Sequence, residues 1–153
     1  MRHMNMQRPD LMWRMRGVTL IELLTVIVVI AILGSLAVGA YGRYSLRANR
    51  TDATSTLLRI QMAEEKFFLS ANTYTTDFTT APPGGLGVLG SNTTPNGRYT
   101  IALAAGTSGN IATSYTATAT ATGGQVNDDP NCLTLSIDDK GTRQPLDSTG
   151  CWK

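Results

Sequence analysis

From Leu23 to Tyr41 the chain carries no charged residue, and a single carboxylate, Glu22, stands at the head of that run. A segment of this length and polarity is long enough to cross a bilayer as a helix. A bare carboxylate in hydrocarbon costs several kcal/mol, so an acid there calls for a partner. Five residues before Glu22 lies Gly17, followed by Val18. Cleavage after Gly17 would make the Val18 α-amino group a cation. That amine, on a neighbouring copy shifted along the axis, is a partner of the right sign for Glu22. A secretory signal peptide would be cut after its apolar core, not before it. A plain anchor leaves Gly17 and Glu22 without a purpose.

The run Gly17-Val18-Thr19-Leu20-Ile21-Glu22 resembles the class III signal of type IV pilins and type II secretion pseudopilins. The resemblance implies that a prepilin peptidase cuts after Gly17 and that Val18 becomes the N-methylated first residue. It makes Glu22, with Thr19 beside it, the assembly residue that pairs with an adjacent subunit. Two positions depart from the usual pattern: Val18 replaces the commoner Phe or Met, and Gly39 stands where many pilins have proline. Gly39, with Gly34 and Gly42, is expected to weaken the helix locally. Met12 and Met15 are alternative starts; beginning at Met12 leaves a short basic leader.

The formal net charge of +2 misdescribes the mature chain. Arg2, Arg8, Arg14 and Arg16, against Asp10, precede Val18, which leaves nine basic residues facing ten acidic ones. The mature protein is therefore near neutral and is not a broadly basic nucleic-acid binder. The arginine-rich leader belongs on the cytoplasmic side by the positive-inside rule. Arg43, Arg47 and Arg50 follow the apolar run, so charge asymmetry alone leaves the orientation open. Cys132 and Cys151 are the two cysteines. Together with an export signal they point to a disulfide in an oxidising compartment such as the periplasm. It would close a loop of about 20 residues, for a gain of about 3 kcal/mol in the chain-entropy view.

Beyond the apolar run, Tyr44 to Ser70 lacks Pro and Gly, and Ala53, Leu57, Ile60, Ala63 and Phe67 recur at helical spacing. This predicts one helix from about Val18 to Ser70, with Arg50, Asp52, Arg59, Gln61, Glu64 and Lys66 on solvated faces and Glu65 open to subunit contacts. Asn72 to Asn96 is rich in Thr, Gly, Ser and Pro and reads as loop. Its glycines lack the Lys-Ser/Thr of a phosphate loop. Period-two alternation then predicts strands at Arg98–Leu103, Ser114–Thr122 and Cys132–Ile137, with a last edge strand over Thr142–Pro145. The expected fold class is α+β. A long N-terminal helix, membrane-spanning in its first half, packs on a small antiparallel β-sheet with a C-terminal disulfide-closed loop. The expected division is 1–17 leader, 18–45 transmembrane and assembly helix, 46–153 globular head.

Asp52-Ala53, Leu57-Leu58, Gln61, Glu64, Lys66-Phe67-Phe68, Asn72 and Tyr74, with Asp129, Cys132-Leu133-Thr134-Leu135, Lys140-Gly141 and Cys151-Trp152, resemble PilE-like minor pilins. That resemblance implies a low-abundance structural subunit of a type IV pilus, with other pilins, a prepilin peptidase and the inner-membrane assembly machinery as partners. It implies a bacterial inner-membrane location before assembly, with the head in the periplasm, and the fibre at the cell surface afterwards. It implies no cofactor. The group also includes a competence pilin that binds DNA. For that role Lys140, Arg143, Trp152 and Lys153 are the candidate residues, since cations beside an aromatic suit nucleic acid; Asp138, Asp139 and Asp147 dilute them. The pseudopilin alternative shares the N-terminus, but the Cys-Trp end argues against it. Asp128-Asp129 with Asp138 and Asp139 lack the defined oxygen-rich loop of a calcium site and read as solvated turns. The one histidine, His3, precedes Val18, so zinc has no ligand set. With no nucleophile motif either, no enzyme is expected.

Overall fold

The computed structural model describes residues 17–146 and 149–152. Residues 1–16, with Asp147, Ser148 and Lys153, lie outside the described residues. The chain divides into two units, Met1–Gly39 and Ala40–Lys153. The order of elements is α1 (Leu20–Ala71), β1 (Tyr99–Ala105), β2 (Tyr115–Ala121), α2 (Gly124–Asp128), a 3₁₀ turn (Pro130–Cys132), β3 (Thr134–Asp138) and β4 (Arg143–Gln144).

In the first unit α1 exposes apolar side chains around its whole circumference, from Leu20 at 82% to Leu24 at 46%. No Pro interrupts this stretch, and its leucine and alanine residues favour the helix while its β-branched residues do not. The helix ends where Asn72 takes a left-handed conformation, φ 54°, and donates its N–H to the Phe68 carbonyl. Asparagine is one of the few residues that tolerates this cap position.

In the second unit the sheet is an antiparallel meander in the order β1-β2-β3-β4. The alternation of β2 works as its sequence predicts. Tyr115, Ala117, Ala119 and Ala121 are buried, and the intervening threonines face outward. Small alanines at the centre of the sheet share one core with the larger Leu57, Ile60, Ile101, Leu135 and Ile137. The helical stripe holds too: Ala53, Leu57 and Ile60 are fully buried, and Ala63 and Phe67 pack against the core. The long loop after α1 is irregular, and it plugs Phe78 and Leu86 into the same core. Gly85 permits that path. A Cβ there would lie 2.7 Å from the Asp77 carbonyl oxygen and 2.8 Å from that of Thr80.

Three expectations are corrected. The third strand begins at Thr134, not Cys132. Leu133 adopts a helical backbone at the end of the 3₁₀ turn, so the alternation slips and its side chain is 38% exposed. Glu64, placed on a solvated face, is fully buried. Asp129, read as part of a solvated turn, is also buried, in the link between α2 and the 3₁₀ turn. The short helix α2 itself has no apolar periodicity, which is why it escapes sequence reading.

Candidate assembly and binding surfaces

At the start of α1, Thr19 and Glu22 cap the helix reciprocally. The Glu22 N–H donates to Thr19 Oγ1 at 3.3 Å, and Glu22 Oε2 accepts from the Thr19 N–H at 3.4 Å. This is a capping box, and its Thr-x-x-Glu spacing is legible in the sequence as such. The carboxylate is thus positioned toward the helix N-terminus, four residues from Val18, whose side chain is 69% exposed. Gly17 has open space around its α-carbon. Among the described residues one helix, α1, is long and apolar enough to cross a membrane.

At the other end of the chain, Cys132 and Cys151 form a disulfide. Both are buried, so the bond ties the C-terminal residues to the core. Trp152 is held beside β4: its indole N–H donates to the Gln144 carbonyl at 3.1 Å. The Arg143 guanidinium carbon lies 5.3 Å from the centroid of the Trp152 ring, a cation–π arrangement. Lys140 is exposed in the β3–β4 turn. Asp138 Oδ1 accepts the N–H groups of Lys140 and Thr142 at 3.0 and 2.7 Å, so that acid is committed to building the turn. The structure therefore brings Arg143 and Trp152 together; Lys153 and Asp147 lie outside the described residues.

Two buried polar arrangements went unread in the sequence. Arg50 donates through Nε and Nη2 to the two oxygens of Asp129. Gln125 Nε2 donates to Asp129 Oδ2 at 2.9 Å and to the Tyr99 hydroxyl at 3.3 Å, and that hydroxyl donates to the Cys132 carbonyl at 3.1 Å. The hydrogen bond to Asp129 raises the Arg50 pKa, and burial raises that of Tyr99. This network occupies Asp129 fully, and no cluster of metal-ligating side chains occurs among the described residues.

Glu64 is the second arrangement. Its Oε2 accepts the Thr75 N–H at 3.2 Å, while Oε1 and the buried Tyr115 hydroxyl find no partner among the described residues. Burial pushes the Glu64 carboxyl up to about 7, the Thr75 hydrogen bond opposes this, and Glu65 adds repulsion. Burial likewise raises Tyr115. Phe68 stacks on Tyr74 with ring centroids 4.6 Å apart, and Tyr74 meets Tyr115 edge-on at 4.9 Å.

A cavity of about 350 Å³ lies in the second unit between α1 and the start of β1. Tyr41, Tyr44, Ser45, Asn49, Asn96 and Arg98 line it.

The sequence model of the family described as "Type IV minor pilin ComP, DNA uptake sequence receptor" matches residues 39–136. A solved type IV pilin from Shewanella oneidensis is similar in fold, with a TM-score of 0.50 and 24% identity, covering 71% of this chain and 98% of that one. No curated protein matches the chain.

Proposed function

The chain belongs to the type IV minor pilin ComP family, and from that premise we propose that it enters the pilus fibre through its N-terminal helix. A prepilin peptidase cuts between Gly17 and Val18, and the Val18 amine is methylated. The apolar half of α1 holds the subunit in the bacterial inner membrane with the head in the periplasm, until the assembly machinery transfers it to the fibre. There Glu22 pairs with the Val18 amine of an adjacent pilin. The observation that carries this reading is the placing of Glu22. It is the sole charge in the apolar first part of α1, up to Tyr41, whose large apolar side chains are exposed, and the capping box aims it at the helix N-terminus. Two opposite charges brought together in hydrocarbon relieve a cost that each bears alone. The role is structural, not catalytic. Intact mass spectrometry of the chain from sheared fibres tests it: a first residue of methylated Val18 supports the reading, and a chain retaining Arg16 overturns it.

DNA reception is the second reading. The description of the matched family favours it, as does the Arg143–Trp152 pair, which offers a cation and a stacking face on the same surface. It stands second because Lys140, Arg143, Trp152 and Lys153 all follow the matched segment, which ends at residue 136, and because the head is near neutral.

A further inference from the structure

Tyr41 closes the uncharged run, and Tyr44 follows one helical turn later. They are 73% and 71% exposed. Residues three apart on a helix are neighbours on one face, and tyrosine is enriched at membrane–water interfaces, where its ring is apolar and its hydroxyl wet. Both border the cavity of about 350 Å³ into which Arg98 also reaches. Among the described residues the one ion pair is Arg50–Asp129, so Arg98 has no carboxylate partner there. Its Nη1 lies 3.4 and 3.8 Å from where side chains on Gly124 and Gly123 would begin. Two successive glycines thus leave the guanidinium uncovered. Asn49 Nδ2 is committed to Gln125 at 2.9 Å. Ser45, Tyr41 and Tyr44 line the same cavity as the arginine and carry hydroxyl groups able to hydrogen-bond a ligand. Asp128 lines the adjoining cavity together with Arg98, and its Oδ2 lies 3.5 Å from the same Gly124 position, near the guanidinium but not ion-paired with it. Arg43 and Arg47 add exposed positive charge on the same stretch of α1.

We propose that Arg98, Tyr41 and Tyr44 form a site for the phosphate diester of an anionic phospholipid headgroup, which holds the head at the bilayer surface before assembly. The guanidinium fork matches phosphate oxygens in a bidentate manner, and basic residues near a membrane surface attract anionic lipid. Chain continuity is the reason to choose lipid over another phosphate source. The cavity opens beside the residue that ends the membrane-crossing run, so a headgroup is the phosphate that anchoring itself brings there. The proposal rests on the membrane-anchored reading given above.

Two measurements on the full chain separate the two ideas. Flotation with phosphatidylcholine vesicles tests anchoring; failure to float overturns that reading and this one with it. The full chain in a maltoside detergent is then titrated with dihexanoyl-phosphatidylglycerol, inorganic phosphate and a short DNA duplex, following the Arg98 side-chain and Tyr41 and Tyr44 ring resonances. The lipid should shift all three saturably, and Arg98→Gln should weaken its binding about fivefold without changing flotation. Tyr44→Ser, which keeps the arginine, should weaken it to a smaller degree. Flotation without an Arg98 response, or unaltered lipid affinity in both variants, overturns the headgroup site alone. Inorganic phosphate binding as tightly as the lipid, or a duplex binding the same resonances more tightly, overturns the assignment to lipid.

Discussion

Arg50 and Asp129, 79 residues apart in sequence, meet as a bidentate ion pair that ties the middle of α1 to the turn before β3. The carboxylate is 3% exposed and the guanidinium side chain 21%. Because Gln125 and Tyr99 extend the pair to the Cys132 carbonyl, one network joins the helix, β1 and the disulfide.

Asp129→Ala should therefore destabilise the protein by about 3 kcal/mol, the lower end of the range for breaking a buried pair, since Arg50 is left partly in reach of water. Denaturant unfolding of the purified chain measures this. A loss below about 0.5 kcal/mol, the size of an ordinary surface substitution, would mean the pair does not hold the helix to the turn.

Stability should fall as pH rises through the neutral range, and Glu64 should be the cause. Its folded value of about 7 lies above the ordinary 4.5. The stability it contributes is fully present below the unfolded value and is lost as pH climbs through the folded one. Glu65, Tyr74, Tyr115 and Asp139 surround this region, and none of them is a cation. Asp77, held low by its hydrogen bonds to Thr80 and Thr79, acts in the opposite sense and only in acid. Glu64→Gln should flatten the profile between pH 5 and 8 and raise the melting temperature at pH 8. The gain should be on the order of 1–3 kcal/mol. Parallel pH profiles for the two proteins would contradict this.

Reduction of Cys132–Cys151, or replacement of both by serine, should cost roughly 2–5 kcal/mol, as for native disulfides of small secreted domains. It should also release Trp152 from Gln144 and Arg143. Melting with and without reductant, monitored by tryptophan fluorescence, is the measurement; an unchanged midpoint would rule out a stabilising role.

Glu22→Ala should leave membrane insertion and Gly17–Val18 cleavage intact while reducing incorporation into fibres. It removes a charge from the apolar run and also the partner of the adjacent amine. Thr19→Ala should weaken the helix start by about 1 kcal/mol and leave the carboxylate available for pairing. Immunoblots of sheared fibres against membranes would compare the two. Normal fibre content of Glu22→Ala would refute pairing between subunits.

DNA binding at physiological salt should fall in the non-specific range of about 10⁻⁴ to 10⁻⁶ M. Truncating Lys140 or Arg143 should flatten its salt dependence, because each phosphate contact releases counterions. Gel shifts with two unrelated duplexes across salt concentrations decide it. Submicromolar binding that prefers one sequence would place the receptor reading first.

Local pattern was enough for the elements whose stabilisation is local or repetitive. The uncharged run, the Ala53–Phe67 stripe and the Thr/Ala alternation of β2 each show their period directly, and each forms the element it predicts. The two cysteines were pairable on chemistry and compartment alone. The polar interior was not legible in this way. Glu64 lies on the apolar stripe by spacing, four residues after Ile60 and three before Phe67, but its charge makes it read as solvated, as does that of Arg50 between Arg47 and Asp52. Whether a charge is buried depends on which distant segment closes over it. For Glu64 that segment donates the Thr75 N–H, and for Arg50 it carries Asp129. Leu133 misled for the same reason: a strand's alternation cannot report the residue at which a 3₁₀ turn gives way to the sheet. The sequence by itself determined a membrane-length helix with one acid at its head and a small sheet with an apolar face. Tertiary structure alone decided which charges lie inside, that Arg143 stands over Trp152, and that Arg98 forms no ion pair among the described residues. Those outcomes are set by contacts between residues far apart in the chain, which periodicity does not encode.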